Sequence, residues 1–286
     1  MQSQLVFQEK KEMQRLSVQN KLLCSYEADI FMHIFQGRSD LTILDIGSND
    51  GAKTNERFAS DAVTKVIGLE YNEILAKEAQ TKYGNDTFSF YPFDVEASAF
   101  SVRLKELMTE KGVDGFDVIY LSFILMHLKD AKKLLLELTP FLNPGGQLVI
   151  IEANDRASSL TSDKDGLLKK FLDILKKDKY SGNREIGAEL CTLLTDCNYE
   201  NIMVWHESID AGIGEKDKKQ AIFTTFFSYL SKDVALLLDT EPDNAEYKAW
   251  STWLDCNYKK LERLIIREES EISMGMKMLS CMKGEK

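Results

Sequence analysis

Between residues 41 and 151 the chain alternates short apolar runs with helical patterns, and this alternation restricts the fold more than any other feature. The apolar runs of strand length are 41–46, 65–69, 87–91, 116–121 and 147–151. The helical patterns between them cover 54–60, 73–82, 101–111 and 131–142. Strands that alternate with helices of this length predict right-handed βαβ units in an α/β fold. We therefore expect a mostly parallel sheet with helices on both faces.

The segments on either side of residues 41–151 have a different pattern of apolar residues. Residues 5–36 have apolar side chains near helical spacing, and Gly37 is a plausible stop signal. Helical patterns return at 163–179, 186–197 and 215–267, with a short strand at 201–206 and a last apolar run at 272–282. We expect a seven-stranded, Rossmann-like sheet with an added helical cap. The predicted parts are a cap (1–36), a cofactor-binding core (37–212), a helical lid insertion (213–267) and the final strand of the core (268–286).

The net charge and the cysteine content limit which partners and which location we expect for the protein. The formal net charge is -10, and short basic runs such as 216–219 are typical of a solvated helix face. Nucleic-acid binders need concentrated basic surface, so nucleic acid is not expected as a partner. No signal-peptide pattern and no run of about 20 apolar residues is evident, so no membrane partner is expected either. Five irregularly spaced cysteines favour reduced thiols in a cytoplasmic protein.

The segment LTILDIGSNDG at 41–51 carries the strongest chemical signal. A strand ends near Asp45, and a tight turn from Gly47 to Gly51 leads into a helix. Glycine lets the backbone approach a ligand closely, and the helix N-terminus offers N–H groups. In this fold class, ligands bind at the carboxyl ends of strands beside a topological switch point. A tight turn with no ligand is the alternative explanation.

Polar residues also follow the later strands. Glu70 ends the second strand about twenty residues after the turn, where a carboxylate can accept both hydroxyls of a ribose or simply cap the next helix. Asp94 follows the third strand, in FYPFDVEA, and can accept from an exocyclic adenine amine. Ser122 stands at the mouth of the fourth strand. A turn, 144–146, then leads into the fifth strand.

Together these segments resemble the class I S-adenosylmethionine-dependent methyltransferases, of the type that acts on small molecules. Residues 41–51 match the family's first motif, Asp/Glu-x-Gly-x-Gly-x-Gly, except that Asn49 replaces the middle glycine. Asparagine tolerates left-handed backbone better than most residues with a Cβ. Later motifs match in order at 65–72, 90–96, 116–128 and 138–151. The resemblance covers about 37–210 and 270–283, the last run matching the family's antiparallel seventh strand.

The resemblance implies S-adenosylmethionine as the cofactor and assigns roles to individual residues. Asp45, Gly47 and Gly51 border its methionine moiety, and Glu70 holds its ribose. Asp94 and Val95 frame its adenine, and Ser122 lies near the sulfonium. Asn49 and Tyr71 complete the predicted cofactor-binding set. The implied reaction is methyl transfer to a small molecule that the sequence does not identify.

Two other functions use a similar sheet. An NAD(P)-dependent oxidoreductase also has an acidic residue after the second strand, but Gly-x-Gly-x-x-Gly is absent because Asn49 and Ala52 occupy two of its positions. A non-catalytic cofactor-binding protein on the same fold is the other alternative. The acidic positions Glu70 and Asp94 argue against it.

Candidates for catalysis and acceptor binding are few. A general base is needed only if the acceptor must lose a proton, and His127 and His206 are the candidates, whereas His33 is expected to be structural. Aromatic residues of the two cap segments are expected to line an apolar acceptor pocket: Tyr26, Phe223, Phe227 and Trp253. If these helices do not close over the site, a homodimer interface is their alternative use. No metal site is expected, because no His/Asp/Glu cluster has ligand spacing.

Overall fold

The computed structural model describes residues 10–284, and these residues contain eight strands and ten α-helices. The strands are β1 (Leu41–Ile46), β2 (Val63–Glu70), β3 (Phe88–Pro92), β4 (Phe116–Ser122), β5 (Leu142–Ala153), β6 (Ser159–Leu160), β7 (Tyr199–Ala211) and β8 (Ile272–Lys283). The helices are α1 (Lys10–Phe35), α2 (Ala52–Phe58), α3 (Glu73–Tyr83), α4 (Phe100–Lys111), α5 (Ala131–Leu138), α6 (Leu167–Lys177), α7 (Ile186–Asp196), α8 (Lys216–Phe227), α9 (Leu230–Thr240) and α10 (Ala245–Ile266). Residues 5–9 of the predicted first helix lie outside the described residues.

The chain divides into two compact units. Among the described residues, the sheet unit comprises 24–153, 186–207 and 277–284, and the helical unit comprises 10–23, 154–185 and 208–276. The helical unit therefore includes residues 154–185, which the sequence assigns to the core. The division also passes through α1, β7 and β8. The predicted boundaries of cap, core and lid stay predictions.

The strand order confirms the predicted α/β fold. In the sheet unit the order is β3-β2-β1-β4-β5-β8, and β7 pairs with β8. The pairs β1–β2, β1–β4, β2–β3 and β4–β5 are all parallel. The chain moves outward from β1 to β3 and then returns to continue on the other side with β4, so the topological switch point lies between β1 and β4. The remaining strand, the two-residue β6, lies in the helical unit and pairs antiparallel with the start of β8.

The central strands are apolar on both faces because helices cover both. On one face, a core cluster joins Leu44 and Ile119 to side chains of α4, α5 and α7. On the other face, the Tyr120 ring lies 5.5 Å from the ring of Phe31 on α1 and 5.6 Å from that of Phe58 on α2, measured between centroids. A strand buried on both sides shows a continuous apolar run rather than alternation, which is why these runs were readable in the sequence.

The predicted Pro144-Gly145-Gly146 turn is wrong, because these residues lie inside β5. Phe116 pairs with Leu142 but Val118 pairs with Gln147, so β5 carries extra residues at this point as a bulge. Gly145 has φ 75°, and a Cβ at Gly146 would lie 2.7 Å from the Phe116 carbonyl oxygen. The glycines therefore permit a bulge, and α5 ends earlier than predicted, at Leu138.

Aromatic side chains form the core of the helical unit. The Phe171 ring on α6 lies 5.0 Å from Trp253 and 6.1 Å from Phe227, and Phe223 lies 5.2 Å from Tyr258. The helical pattern predicted for 215–267 is confirmed, with breaks between α8, α9 and α10. These aromatics therefore have packing partners within their own unit.

One segment, Lys216–Thr240, is long and apolar enough to cross a membrane by length and composition alone, with a mean hydropathy of 1.3. The expectation that no such stretch exists is corrected by this segment. In the structure it forms two helices, α8 and α9, and half of its apolar window is buried inside the protein. Core helices pass the same test, so the absence of a membrane partner stays a prediction.

Candidate functional site at the carboxyl ends of β2, β1 and β4

Three neighbouring strands of the sheet unit end at one level and bring predicted site residues into a row. Ile46, the last paired residue of β1, lies opposite the residues that precede Glu70 on β2 and Ser122 on β4. Glu70 and Ser122 therefore flank Gly47, at the switch point between β1 and β4. Ligands bind at this position in open α/β sheets.

The turn after β1 is held by the neighbouring strand. The N–H groups of Gly47 and Ser48 both donate to the Leu69 carbonyl, at 2.7 and 3.0 Å. Gly47, Asn49 and Gly51 have φ angles of 82°, 50° and 76°, all in the left-handed region. Asn49 thus adopts the left-handed backbone conformation, which asparagine tolerates better than most residues with a Cβ. This agrees with its place at the middle glycine of the motif.

Packing also requires glycine at both ends of this turn. A Cβ at Gly47 would lie 2.0 Å from Cδ1 of Ile124, in the segment after β4. A Cβ at Gly51 would lie 2.9 Å from that of Ala79 and 3.0 Å from the Phe90 ring. Besides permitting close approach of a ligand, these glycines let the turn pack against α3, β3 and the segment after β4.

The Glu70 carboxylate is oriented by backbone N–H groups. Its Oε2 accepts from the N–H of Asn49 at 3.0 Å, and its Oε1 accepts from the N–H of Asn72 at 2.8 Å. Burial raises the pKa of Glu70, and these backbone bonds oppose that effect. A carboxylate has about four lone-pair sites. The backbone N–H of Tyr71 is a third donor to this carboxylate, so about one acceptor site is left for a ligand.

Asp45, at the end of β1, is buried and accepts a hydrogen bond from the Thr54 hydroxyl. Burial raises the pKa of Asp45 to about 6, although the Thr54 hydrogen bond and the Lys53 charge both lower it. Its carboxylate is therefore mostly ionised at neutral pH but protonates in mild acid. This makes Asp45 a buried anion suited to a cationic group of a ligand.

Ser122, at the end of β4, accepts a hydrogen bond of 2.7 Å from Nζ of Lys53 on α2. The next residue, Phe123, has φ 57°, which is unusual for a side chain with a Cβ. Such strain persists only where the surrounding structure enforces it, and it concentrates at functional sites. The strained residue therefore adjoins the predicted site.

A buried ionic network that the sequence analysis missed lies beside this row. Glu27 on α1 is fully buried and accepts hydrogen bonds from Lys53 at 2.8 Å, from the Tyr120 hydroxyl at 2.8 Å, and from Arg57. Although burial alone raises the pKa of Glu27, Lys53 and Arg57 hold it below its ordinary value. The sequence contains one indication of this network, because Glu27 places a carboxylate on an apolar helix face between Leu23 and Ile30.

Glu152, at the end of β5, is a second residue that the sequence analysis missed. Its side chain is fully buried, and Oε1 accepts from the N–H of Leu125 at 2.6 Å. Burial raises the pKa of Glu152 to about 8, so the carboxyl is mostly protonated at neutral pH. The side chain therefore fixes the turn that follows Ser122 on β4.

The residues expected to frame the adenine are near the third strand. Asp94 is half-buried, and its Oδ1 accepts from the N–H of Glu96 at 2.9 Å. Val95 packs against the core cluster. Tyr71 follows Glu70 directly and is 60% exposed. These contacts leave the predicted roles of Asp94, Val95 and Tyr71 untested.

The histidines lie in different environments. His127 is exposed, in a short 3₁₀ turn (Leu125–His127) after β4. The prediction that His206 ends its strand is wrong, because β7 continues to Ala211. Its ring packs edge-on to Tyr26, with centroids 5.1 Å apart, and its Nε2 lies 3.6 Å from the Asp29 carboxylate. His33 packs against Trp205, in line with a structural role. Catalysis by His127 or His206 stays a prediction.

The aromatic residues predicted to bind the acceptor are used in packing. Phe223 and Phe227 are buried in the helical unit and Trp253 is half-buried there. Tyr26, in the sheet unit, contacts His206. A further role of these four residues in acceptor binding stays a prediction. Within residues 10–284, no group of three or more His, Cys, Asp or Glu is placed to hold a metal ion.

Comparison with protein families gives one match that covers most of the chain. A family model described as "Methyltransferase domain" matches residues 18–203. This range contains the turn after β1 and the carboxyl ends of β1 to β5. No curated protein matches the chain.

Solved structures share the fold at low sequence identity. The YcgJ protein from Bacillus subtilis is 14% identical, covers 90% of this chain and 98% of its own, and gives a TM-score of 0.55. Human N-acetylserotonin methyltransferase, in complex with S-adenosylmethionine, is 12% identical, covers 99% of this chain and 56% of its own, and gives a TM-score of 0.51. The cyclase SpnF is 15% identical, with 91% and 80% coverage and a TM-score of 0.51. One fold thus supports different reactions.

Proposed function

This chain belongs to the class I S-adenosylmethionine-dependent methyltransferases, and from that premise we propose that it methylates a small-molecule acceptor. The observation that carries the choice of acceptor is the net charge of -10, because nucleic-acid substrates require a basic surface. The likeness to human N-acetylserotonin methyltransferase, whose name gives a small-molecule acceptor, agrees with this choice.

S-adenosylmethionine is the cofactor of this family, and the site has the groups to bind it. Glu70 is partly exposed at the carboxyl end of β2, and its carboxylate is the group that we propose accepts the ribose hydroxyls. Ser48 Oγ in the turn is buried with no hydrogen-bond partner among the described residues. A buried hydroxyl without a partner is costly, so a ligand atom that satisfies it gains affinity. Neither alternative function of the sequence analysis has support from the comparisons.

The cofactor supplies an electrophilic methyl group, so the chain's own task is to position the acceptor and exclude water. The row from Glu70 past Gly47 to Ser122 fixes the direction of the cofactor. The Glu152 carboxyl, which accepts from the Leu125 N–H, holds the segment after Ser122 in place. His127, which follows in the same turn, is the candidate base for an acceptor that must lose a proton.

The acceptor class can be tested by transfer of label. The purified protein is incubated with S-adenosylmethionine tritiated in its methyl group and with separate fractions of small molecules, RNA, DNA and protein. We expect label in the small-molecule fraction, and much less with Glu70→Ala, which weakens cofactor binding. Label confined to a macromolecular fraction contradicts the proposed acceptor.

The lid role of segments 1–36 and 213–267 is a second part of the proposal. Lids are drawn from less stable regions and become protected when a ligand binds. Amide hydrogen exchange with and without S-adenosylhomocysteine should slow in at least one of these segments as well as in the turn after β1. A response in the turn alone contradicts the lid, and a homodimer interface is then tested by analytical ultracentrifugation.

A further inference from the structure

We propose that Lys53 binds the carboxylate of the methionine part of the cofactor and thereby selects the complete cofactor over shortened forms. This inference rests on the family's cofactor but not on the identity of the acceptor. It assigns a function to a residue that lies just after the glycine turn and belongs to none of the matched motif positions.

The position of Lys53 supports this assignment. Its Nζ lies 2.7 Å from the Ser122 hydroxyl and 2.8 Å from Glu27 Oε1, and its side chain is 16% exposed. Ser122 and Glu70 are on the two strands that flank β1. Neighbouring strands lie about 4.8 Å apart, so the row from Glu70 to Ser122 spans roughly 10 Å. With the ribose at Glu70, the amino-acid end of the cofactor extends towards Ser122 and Lys53.

The charges around Lys53 match an amino acid. Lys53 is a partly buried cation and Arg57 a buried one, and Glu27 and Asp45 are two buried anions at neutral pH. Arg57 also reaches Glu56, at 3.5 Å, but that carboxylate is largely exposed. The amino-acid end of the cofactor has one ammonium and one carboxylate. Asp45 is suited to the ammonium and Lys53 to the carboxylate, so binding adds no net charge to the site.

The ammonium group of Lys53 has more N–H donors than oxygen partners among the described residues. A lysine ammonium has three N–H donors, and among the described residues its oxygen partners are Glu27 and Ser122. These two contacts fix the direction of Nζ. Glu27 also accepts from Arg57 and Tyr120, so it stays held when Lys53 engages a ligand. Its Nζ also lies 5.2 Å from the centroid of the Tyr120 ring. Lys53 is therefore a preoriented cation whose third N–H has no oxygen acceptor among residues 10–284.

Calorimetry with two ligands that differ only in the carboxylate tests this proposal. The ligands are S-adenosylhomocysteine and its decarboxylated analogue, and the proteins are wild type, Lys53→Met and, as a control, Lys77→Met on the exposed face of α3. For wild type and the control, we expect the complete ligand to bind at least tenfold more tightly. For Lys53→Met, S-adenosylhomocysteine should weaken at least tenfold, while the decarboxylated analogue changes by less than about threefold.

Three results would overturn the proposal. Equal affinity of wild-type protein for the two ligands contradicts it, and this measurement needs no variant to fold. A Lys53→Met variant that loses both ligands equally assigns Lys53 a structural role, with thermal melts reporting any loss of fold. A Lys53→Met variant that retains full preference for the carboxylate places that group elsewhere. A failure of the small-molecule acceptor proposal leaves all three measurements unaffected.

Discussion

Two glutamates at equivalent places in the sheet, Glu70 at the end of β2 and Glu152 at the end of β5, have different roles. Both accept hydrogen bonds from backbone N–H groups of a neighbouring turn, and burial raises the pKa of both. Glu70 remains partly exposed, so its oxygens can reach a ligand. Glu152 is fully buried and mostly protonated at neutral pH. Exposure, rather than residue type or topological position, therefore decides which of the two carboxylates can reach a ligand.

The largest expected effect is on the pH dependence of stability, through Glu152. The native state keeps a proton on Glu152 up to about pH 8, whereas the unfolded chain releases it near pH 4.5. The free energy of unfolding therefore falls as pH rises through this range, by on the order of 4 kcal/mol, since one pKa unit is worth about 1.4 kcal/mol. Glu152→Gln keeps a neutral side chain of similar shape, and its denaturant-unfolding profile should be flatter.

The control for this prediction is Glu78→Gln, a change at an exposed position of α3. Its profile should run parallel to that of wild type. If the Glu152→Gln profile also runs parallel to wild type, Glu152 is not protonated in the native state, and the contrast with Glu70 is lost.

The second effect is on cofactor affinity, through Glu70. Glu70→Ala removes the charge-assisted hydrogen bonds to the ribose, each worth about 1.5–3 kcal/mol at most. Affinity for S-adenosylhomocysteine should fall at least tenfold by calorimetry, with Glu73→Ala, exposed at the start of α3, as the control. From the sequence alone, the melting temperature of the free protein is expected to change very little. Because Glu70 also accepts from Asn49 and Asn72, we now expect a modest decrease, and unchanged affinity would contradict the ribose contact.

A smaller effect is expected at Asp45. Burial raises its pKa to about 6 in the absence of ligand, and only the ionised form attracts the ammonium of the cofactor. Affinity for S-adenosylhomocysteine should therefore decrease severalfold as pH falls through about 6. Asp45→Asn should bind more weakly at neutral pH and lose this pH dependence. A variant that retains the wild-type pH dependence would assign it to another group.

The smallest effect is expected at Tyr71. Its ring is 60% exposed and follows Glu70 directly, so Tyr71→Ala should change stability by less than about 0.5 kcal/mol. If the ring contacts the cofactor as predicted, affinity should decrease by a few fold. Unchanged affinity in the same calorimetric titration removes Tyr71 from the site and leaves Glu70 as the contact at the end of β2.

The centre of the sheet was predictable because β1, β2 and β4 are largely buried on both faces. Strand β1 has the predicted bounds, and β2, β4 and the edge strand β3 differ from prediction by two residues or fewer at either end. Strand β5 was predicted too short because Pro144-Gly145-Gly146 is typical of a turn, whereas here it forms a bulge. His206 was placed at a strand end for a similar reason, since nothing in the local sequence marks the continuation of β7 to Ala211.

The row from Glu70 to Ser122 was predictable from the sequence, but the buried side chains that hold it in place were not. Glu70 and Ser122 follow apolar runs directly, so the sequence places them at one edge of the sheet. Glu27 lies on a helix that precedes the first strand, and its contact with Lys53 joins residues far apart in the chain. Glu152 lies at the end of an apolar run like Glu70, but no local pattern tells an exposed carboxylate from a buried one. Long-range packing decides both cases.

A crystal structure of the protein with S-adenosylhomocysteine would show whether Glu70 and Lys53 bind the two ends of the ligand. We expect the ribose hydroxyls within hydrogen-bond distance of Glu70, the sulfur beside Gly47, and the amino-acid end between Asp45 and Lys53. Glu152 should keep its contact with the Leu125 N–H and touch no ligand atom. Ligand density elsewhere, with Glu70 bound only by the N–H groups of Asn49, Tyr71 and Asn72, would show that Glu70 does not hold the ribose.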